Sequence, residues 1–159
     1  QSNIMDRSRI KLIFSRLLHQ QFYQEIFMQP ALDFLTANPV TFFATTAEGN
    51  LPKVRPILFC FEENGVLWFC SAKSKNFWKE MKSNPQVEFS SFDGNRWIRV
   101  SGTVTFNDNL EIKTKILKKY ENIRAIYQSP DNPEFVSFCL EHWNAALYSF
   151  TDPPVSFSR

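Results

Sequence analysis

Three short segments carry the residues with the most chemistry to offer: Lys53-Val54-Arg55-Pro56, Ser71-Ala72-Lys73-Ser74-Lys75-Asn76 and Trp97-Ile98-Arg99-Val100-Ser101-Gly102. Cations and hydroxyls gathered at a helix start make an anion site, because the first N–H groups of a helix lack partners and its N-terminus carries about half a positive charge. Ser74 reads as the N-cap of a helix over 75–82, with Ser71, Lys73, Lys75 and Asn76 at its mouth. Arg55, on the adjacent strand, has a planar fork that grips two phosphate oxygens. Together Arg55 and Lys75 nearly neutralise a dianionic monophosphate. Lys73, Lys75, Lys79 and Lys82 read equally as a solvated helix face, and spacing leaves both readings open.

A flat ligand is the second chemistry. Strand alternation puts Arg55, Ile57 and Phe59 on one face and Val54, Pro56, Leu58 and Cys60 on the other. A ring laid on that strand's edge meets backbone groups near Pro56, Ile57 and Leu58. Trp97 shares a face with Arg99 and Ser101, where it could stack on such a ring or serve as a core or interface aromatic. Other chemistries lack their residues. There is no Gly-rich phosphate loop, dinucleotide fingerprint or Gly-x-Ser-x-Gly elbow. His142 lies beside Glu141 and Trp143, with nothing marking a nucleophile for it to activate. Two histidines and three unpaired-spacing cysteines, Cys60, Cys70 and Cys139, argue against an all-protein zinc site. The cysteines read as buried thiols in a reducing, cytoplasmic setting.

The positioning elements follow from the pattern of the whole chain. With 159 residues, 43% apolar and 21% charged, it reads as one ordered domain rich in phenylalanine, with 17 copies. A net charge of +2 is too small to argue for nucleic acid, which weighs against an oligonucleotide-binding barrel built on Trp68, Trp97 and the lysines. No apolar run reaches membrane-spanning length, so no membrane partner is expected. Residues 1–4 look like an expression-tag remnant, and no signal peptide is visible. Residues 5–28 are an N-terminal amphipathic helix, with Ile10, Ile13, Phe14, Leu17, Leu18 and Phe22 at helical spacing. Packing on the domain or on a second subunit is expected ahead of a membrane-surface role.

Residues 29–150 form the main domain. Pro30 marks a break or a new start, and Ala31–Thr36 continues as a short helix. Strands are expected over 40–46, 52–61, 66–71, 86–92, 96–106, 135–141 and 145–150, joined by turns at Glu48-Gly49-Asn50, Glu62-Glu63-Asn64-Gly65 and Asp93-Gly94-Asn95. Asp108 or Asn109 caps a further helix running to about Tyr127. Residues 151–159 are a loosely held tail. The fold class is mainly β (α+β): an antiparallel six- to seven-stranded split β-barrel with flanking helices, since a parallel sheet would need a helix between most strands.

From about Ala31 to Phe150 the chain resembles the pyridoxamine 5′-phosphate oxidase-like FMN-binding split barrels, above all the short, nitroimidazole-resistance-like members. The resemblance rests on Phe34-Leu35-x-x-Asn38-Pro39, Lys53-Val54-Arg55-Pro56, Leu67-Trp68-Phe69-Cys70-Ser71, Lys75 before Lys82-Ser83-Asn84-Pro85, Trp97-Ile98-Arg99-Val100-Ser101-Gly102 and Ser129-Pro130-Asp131-Asn132-Pro133. It implies a homodimer with FMN at the subunit interface and an oxidoreductase acting on a small flat molecule, or else a flavin or haem store of the same fold. It implies that Arg55 and Lys75 hold the phosphate with Ser71, Cys70 and Asn76 beside them. Pro56, Ile57 and Leu58 then face the flavin ring through their backbone, and Trp97 contacts it. The flavin carries the chemistry, so no catalytic side chain is assigned. Two departures set the chain apart from true pyridoxamine phosphate oxidases. Their Ser-Arg-Lys phosphate run is here Lys75-Asn76 or nearby, and their C-terminal Arg-x-His-type pattern is absent from Ser156-Phe157-Ser158-Arg159. The resemblance therefore stops short of vitamin B6 oxidation.

Overall fold

Residues 40–47 alternate exposed and buried side chains, as a strand with one face on a core must, and this alternation builds most of the molecule. The computed structural model describes residues 7–159, the side chains of 7–14 and 20–26 excepted. The chain runs α1 (Arg7–Ala37), β1 (Val40–Ala47), β2 (Leu51–Glu63), β3 (Val66–Ala72), α2 (Asn76–Ser83), β4 (Gln86–Phe92), β5 (Arg96–Thr103), α3 (Leu110–Lys119), α4 (Glu121–Tyr127), β6 (Phe135–Leu140), β7 (Trp143–Ser149) and β8 (Val155–Ser158). A single turn of 3₁₀ helix, Glu48–Asn50, joins β1 to β2.

The strands pair antiparallel in the order β6-β3-β2-β1-β4-β5-β7-β8. Past β5, Thr105 exchanges two backbone hydrogen bonds with Cys139 of β6, at 2.8 and 3.0 Å. That bridge curls the sheet into a barrel of β1, β2, β3, β6, β5 and β4, with β7 and β8 extending it. At this closure Gly102 is obligatory: a Cβ there would sit 2.8 Å from the His142 carbonyl oxygen. The β2–β3 hairpin turns on Asn64 and Gly65, both at positive φ (54° and 74°), as the expected tight turn requires.

Phenylalanine fills the barrel. Phe43 lies 5.2 to 6.1 Å from Phe69, Phe77, Phe89 and Phe138, mostly edge to face. A second cluster lies on the opposite face of β3 and β6, where Cys60, Trp68 and Phe135 pack under Ile112, Ile116 and Ile123 of α3 and α4.

Several expectations need correction. Among the described residues there are eight strands, not six or seven. The extra one is β8, in the expected loose tail; it pairs with β7 and buries Phe157 to 4% exposure. Pro30 does not break α1, which is continuous. Proline costs that helix one backbone hydrogen bond, but Met28, Ala31, Leu32, Phe34 and Leu35 are all buried and hold the segment in helical geometry. The apolar face read at Ile10, Ile13, Phe14 and Phe22, and residues 1–6, lie outside the described residues; Leu17 and Leu18 are exposed. The helix after Asn109 is two helices parted at Tyr120, whose φ of −120° is not helical. Asn109, not Asp108, caps it, its Oδ1 accepting from the Glu111 and Ile112 amides. No described helix is long and apolar enough to cross a membrane.

Candidate functional site

The site begins where two strands part. β2 pairs with β3 only from Glu63/Val66 to Phe59/Phe69; β3 pairs with β6 throughout Leu67–Ala72, so beyond that point Cys70, Ser71 and Ala72 pair with β6 alone. β2 continues alone on that side from Leu58 back to Leu51, held by β1. The Phe59 amide donates to the Pro39 carbonyl at 2.7 Å, so the odd-numbered residues of β2 bond to β1. The backbone groups of Val54, Pro56 and Leu58 therefore turn to the open edge. Proline suits such an edge, since it has no N–H to leave unpaired.

Across the split stands the start of α2. Lys75, not Ser74, is its N-cap, and no side chain caps it. Ser74 is otherwise engaged: its amide donates to Glu134 Oε2 at 3.1 Å, and its hydroxyl and amide together hold Glu134 below the usual glutamate range. This fixes the loop between β3 and α2 and leaves the α2 N-terminus open to an outside anion. Lys75 and Asn76 are exposed there.

Ser71 lies on the face of β3 that also carries Leu67 and Phe69, all three buried. Phe59 pairs with Phe69, so Ser71 shares the face of Ile57 and Arg55. Its Oγ is buried and has no hydrogen-bond partner among the described residues. A hydroxyl in that state costs free energy unless a further group satisfies it.

Arg55 is more engaged than its sequence suggests. Nη2 donates to Glu80 Oε2 at 2.6 Å, and Nη1 to Thr45 Oγ1 at 2.5 Å and the Lys53 carbonyl at 3.2 Å. Thr45 Oγ1 in turn donates to Glu80 Oε2 at 2.5 Å. The guanidinium lies 5.1 Å from the Phe77 ring centroid, so it rests on the first turn of α2. Among the described residues Nε–H has no acceptor. Burial pushes the Glu80 carboxyl up, but bonds from Thr45 and Arg55, and the charges of Arg55 and Lys53, outweigh it and hold it low.

Strand register puts Arg55, Ile57 and Ser71 on one face, and Arg55 rests on the first turn of α2, whose N-cap is Lys75 and first residue Asn76; Pro56 and Leu58 lie on the open edge of β2. Cys70 is not among them. Its side chain faces the opposite side of β3, where its Sγ is 3.8 Å from that of Cys60. Trp97 lies on the outer face of the sheet, three strands from β2, roughly 14 Å away at ordinary strand spacing. There it stacks on Tyr148, at 5.3 Å between centroids and 6° between planes. It shares that face with Arg99 and Ser101, as expected, and these two line a cleft of about 190 Å³ with Glu88, Asn144 and Tyr148. Lys82 is exposed as well, with its ammonium over the Trp78 and Phe106 rings. Lys73 and Lys79 are exposed.

Sequence reasoning missed Thr45 and Glu80. Alternation from the buried Thr41 and Phe43 already points Thr45 inward. Glu80, three residues after Phe77, falls on the same helix face, a lone acid among lysines.

A family model described as pyridoxamine 5′-phosphate oxidase matches residues 27–143. Among solved structures, a NimC/NimA family protein of Clostridium acetobutylicum shares 32% identity at a TM-score of 0.78, over 89% of this chain and 98% of that one. A protein related to general stress protein 26, of the pyridoxinephosphate oxidase family and from the same organism, matches at 15% identity and a TM-score of 0.67, over 84% and 95%. A heme binding protein from Mycobacterium smegmatis matches at 10% identity and a TM-score of 0.62, over 78% and 55%, which is a likeness of fold alone. No curated protein matches.

Proposed function

We propose that this chain, which belongs to the pyridoxamine 5′-phosphate oxidase family, holds FMN in the split between β2 and β3 and acts through it as an oxidoreductase on a small, flat molecule. The observation that carries the reading is Ser71. Its buried, partnerless hydroxyl lies on the face that Arg55 shares, next to an uncapped helix start flanked by Lys75 and Asn76. These donors suit a phosphate monoester. Arg55 presents Nε–H, Ser71 its hydroxyl, and α2 its first amides, with Lys75 adding charge. The open edge at Val54, Pro56 and Leu58 then orients the ring system.

Bound FMN supplies electron or hydride transfer, so the protein's part is anchoring, orientation and exclusion of water. A second copy of the chain fits this scheme. The outer face exposes Val40 (54%), Phe42 (55%), Val54 (62%) and Phe92 (53%), a run of apolar side chains of the kind that marks an interface. Trp97 lies on that face and reaches a flavin only from a partner subunit.

The visible spectrum of the purified protein tests the proposal. Paired flavin absorption bands, with FMN as the chromophore released by heat, are expected. A haem Soret band, or failure of added FMN to bind, contradicts it. Stopped-flow reduction by a nicotinamide donor separates an enzyme from a flavin store.

A further inference from the structure

Two of the three thiols meet where the hairpin splits. Cys60 follows Phe59 and Cys70 follows Phe69, the last pair of the β2–β3 ladder, so both turn to the face opposite those phenylalanines. In a regular ladder they would be diagonal neighbours, too far apart for contact. The register shift between Phe59 and Phe61 makes Cys60 a bulge residue. Its carbonyl is turned to α3, accepting from Lys119 Nζ at 2.9 Å and Tyr120 Oη at 2.5 Å. Its thiol is turned to Cys70, with the sulfurs 3.8 Å apart.

We propose that Cys60 and Cys70 are an oxidisable dithiol that a hydroperoxide converts to an intrachain disulfide, fastening β2 to β3 at the point where they part. Cys70 is only partly buried and is the entry point, whereas Cys60 is fully buried. The Cys60 sulfur lies 3.7 Å from the Leu58 carbonyl and 3.8 Å from the Cys70 sulfur, so its one S–H is engaged, whereas Cys70 is the sulfur that a peroxide reaches first. In the first step the Cys70 sulfur attacks hydrogen peroxide, the O–O bond breaks, and Cys70 becomes a sulfenic acid with release of water. In the second, the Cys60 sulfur displaces hydroxide from that sulfenic acid. The S–S bond forms, and the Cys60 proton leaves in a second water. One peroxide is reduced and two thiols are oxidised. Closure needs the sulfurs to approach from 3.8 Å to about 2.05 Å, within reach of side-chain rotation. The contact with the Cys70 side chain, then burial, raises the Cys60 thiol well above its usual value, which makes it a poor first target and a resolving partner. Cys139 is fully buried on β6, and burial pushes its thiol up to about 12, so it stays out of the exchange.

The test is intact-mass and peptide mapping of the full chain, reduced and then exposed to hydrogen peroxide, with alkylation under denaturing conditions. The expected product is about 2 Da lighter before alkylation, carries one free thiol at Cys139, links the Cys60 and Cys70 peptides, and reverts with dithiothreitol. In Cys60→Ala the bridge is absent and dimedone labels Cys70. An absent Cys60–Cys70 link in the wild-type chain, or a mass loss that persists in Cys60→Ala or Cys70→Ala, overturns the proposal. Neither outcome depends on whether FMN binds.

Discussion

Arg55 on β2 and Glu80 on α2 meet at 2.6 Å, with the guanidinium 24% and the carboxylate 12% exposed. An arginine expected to wait for an anion is thus already tied, through two of its three nitrogens, to an acid and to Thr45. Breaking such a half-buried pair from one side leaves the other charge poorly compensated. Glu80→Gln should lower stability by about 2 kcal/mol, the worth of a charged hydrogen bond. Urea unfolding at neutral pH measures it.

The same pair carries a pH signature. The Glu80 carboxyl is depressed below its ordinary value of 4.5 in the folded state. Its contribution is therefore fully present above that value and is lost as pH falls through the lower folded value. The stability difference between wild type and Glu80→Gln should be constant near neutrality and shrink below pH 4.5. Paired urea titrations at several pH values follow this gap; a gap that widens in acid would refute the assignment.

Ser71→Ala separates a structural serine from a binding one. Since the hydroxyl has no partner among the described residues, its removal should leave the stability of the apo-protein unchanged or slightly raised. FMN affinity should fall by about 2- to 10-fold, one neutral hydrogen bond. Thermal melts and fluorescence titration read the two effects independently.

On the outer face, Phe42 is 55% exposed and contributes to the apolar run on β1. Phe42→Glu should leave the fold intact, since the side chain touches no core. It should convert a dimer to a monomer in sedimentation velocity and weaken FMN binding with it. An unchanged dimer would place the interface elsewhere.

Phe157 is 4% exposed in β8 and faces Phe27 at 5.6 Å between ring centroids. Phe157→Ala should cost about 3 kcal/mol by thermal or chemical unfolding, as for other buried phenylalanines.

The barrel was legible because its signals are local. Alternation over 40–46 and the Asn64-Gly65 turn needed nothing beyond neighbouring residues to read. The eighth strand was not, because Val155–Ser158 is short and follows Pro153-Pro154; only its pairing with β7 makes it a strand. Pro30 misled for a related reason. A local rule breaks the helix there, but burial of Leu32, Phe34 and Leu35 overrides it. At the site, strand alternation placed Arg55 and Ile57 on one face, and the helix after Lys75 was visible in outline. That Cys70 turns away from Ser71 follows from the same alternation. The Arg55–Glu80 pair joins residues 25 apart on two elements, and the approach of Cys60 to Cys70 depends on a bulge. Neither leaves a mark on sequence spacing.

The account stands on a phosphate anchored at Arg55 and the start of α2. Titrating apo-protein with FMN and with riboflavin, for wild type and Arg55→Ala, tests it most directly. Wild type should favour FMN by at least about 10-fold, and Arg55→Ala should lose about that much of the preference, corresponding to one charge-assisted contact of about 1.5–3 kcal/mol. Equal affinity of wild type for the two ligands, or an undiminished preference in the variant, would contradict it.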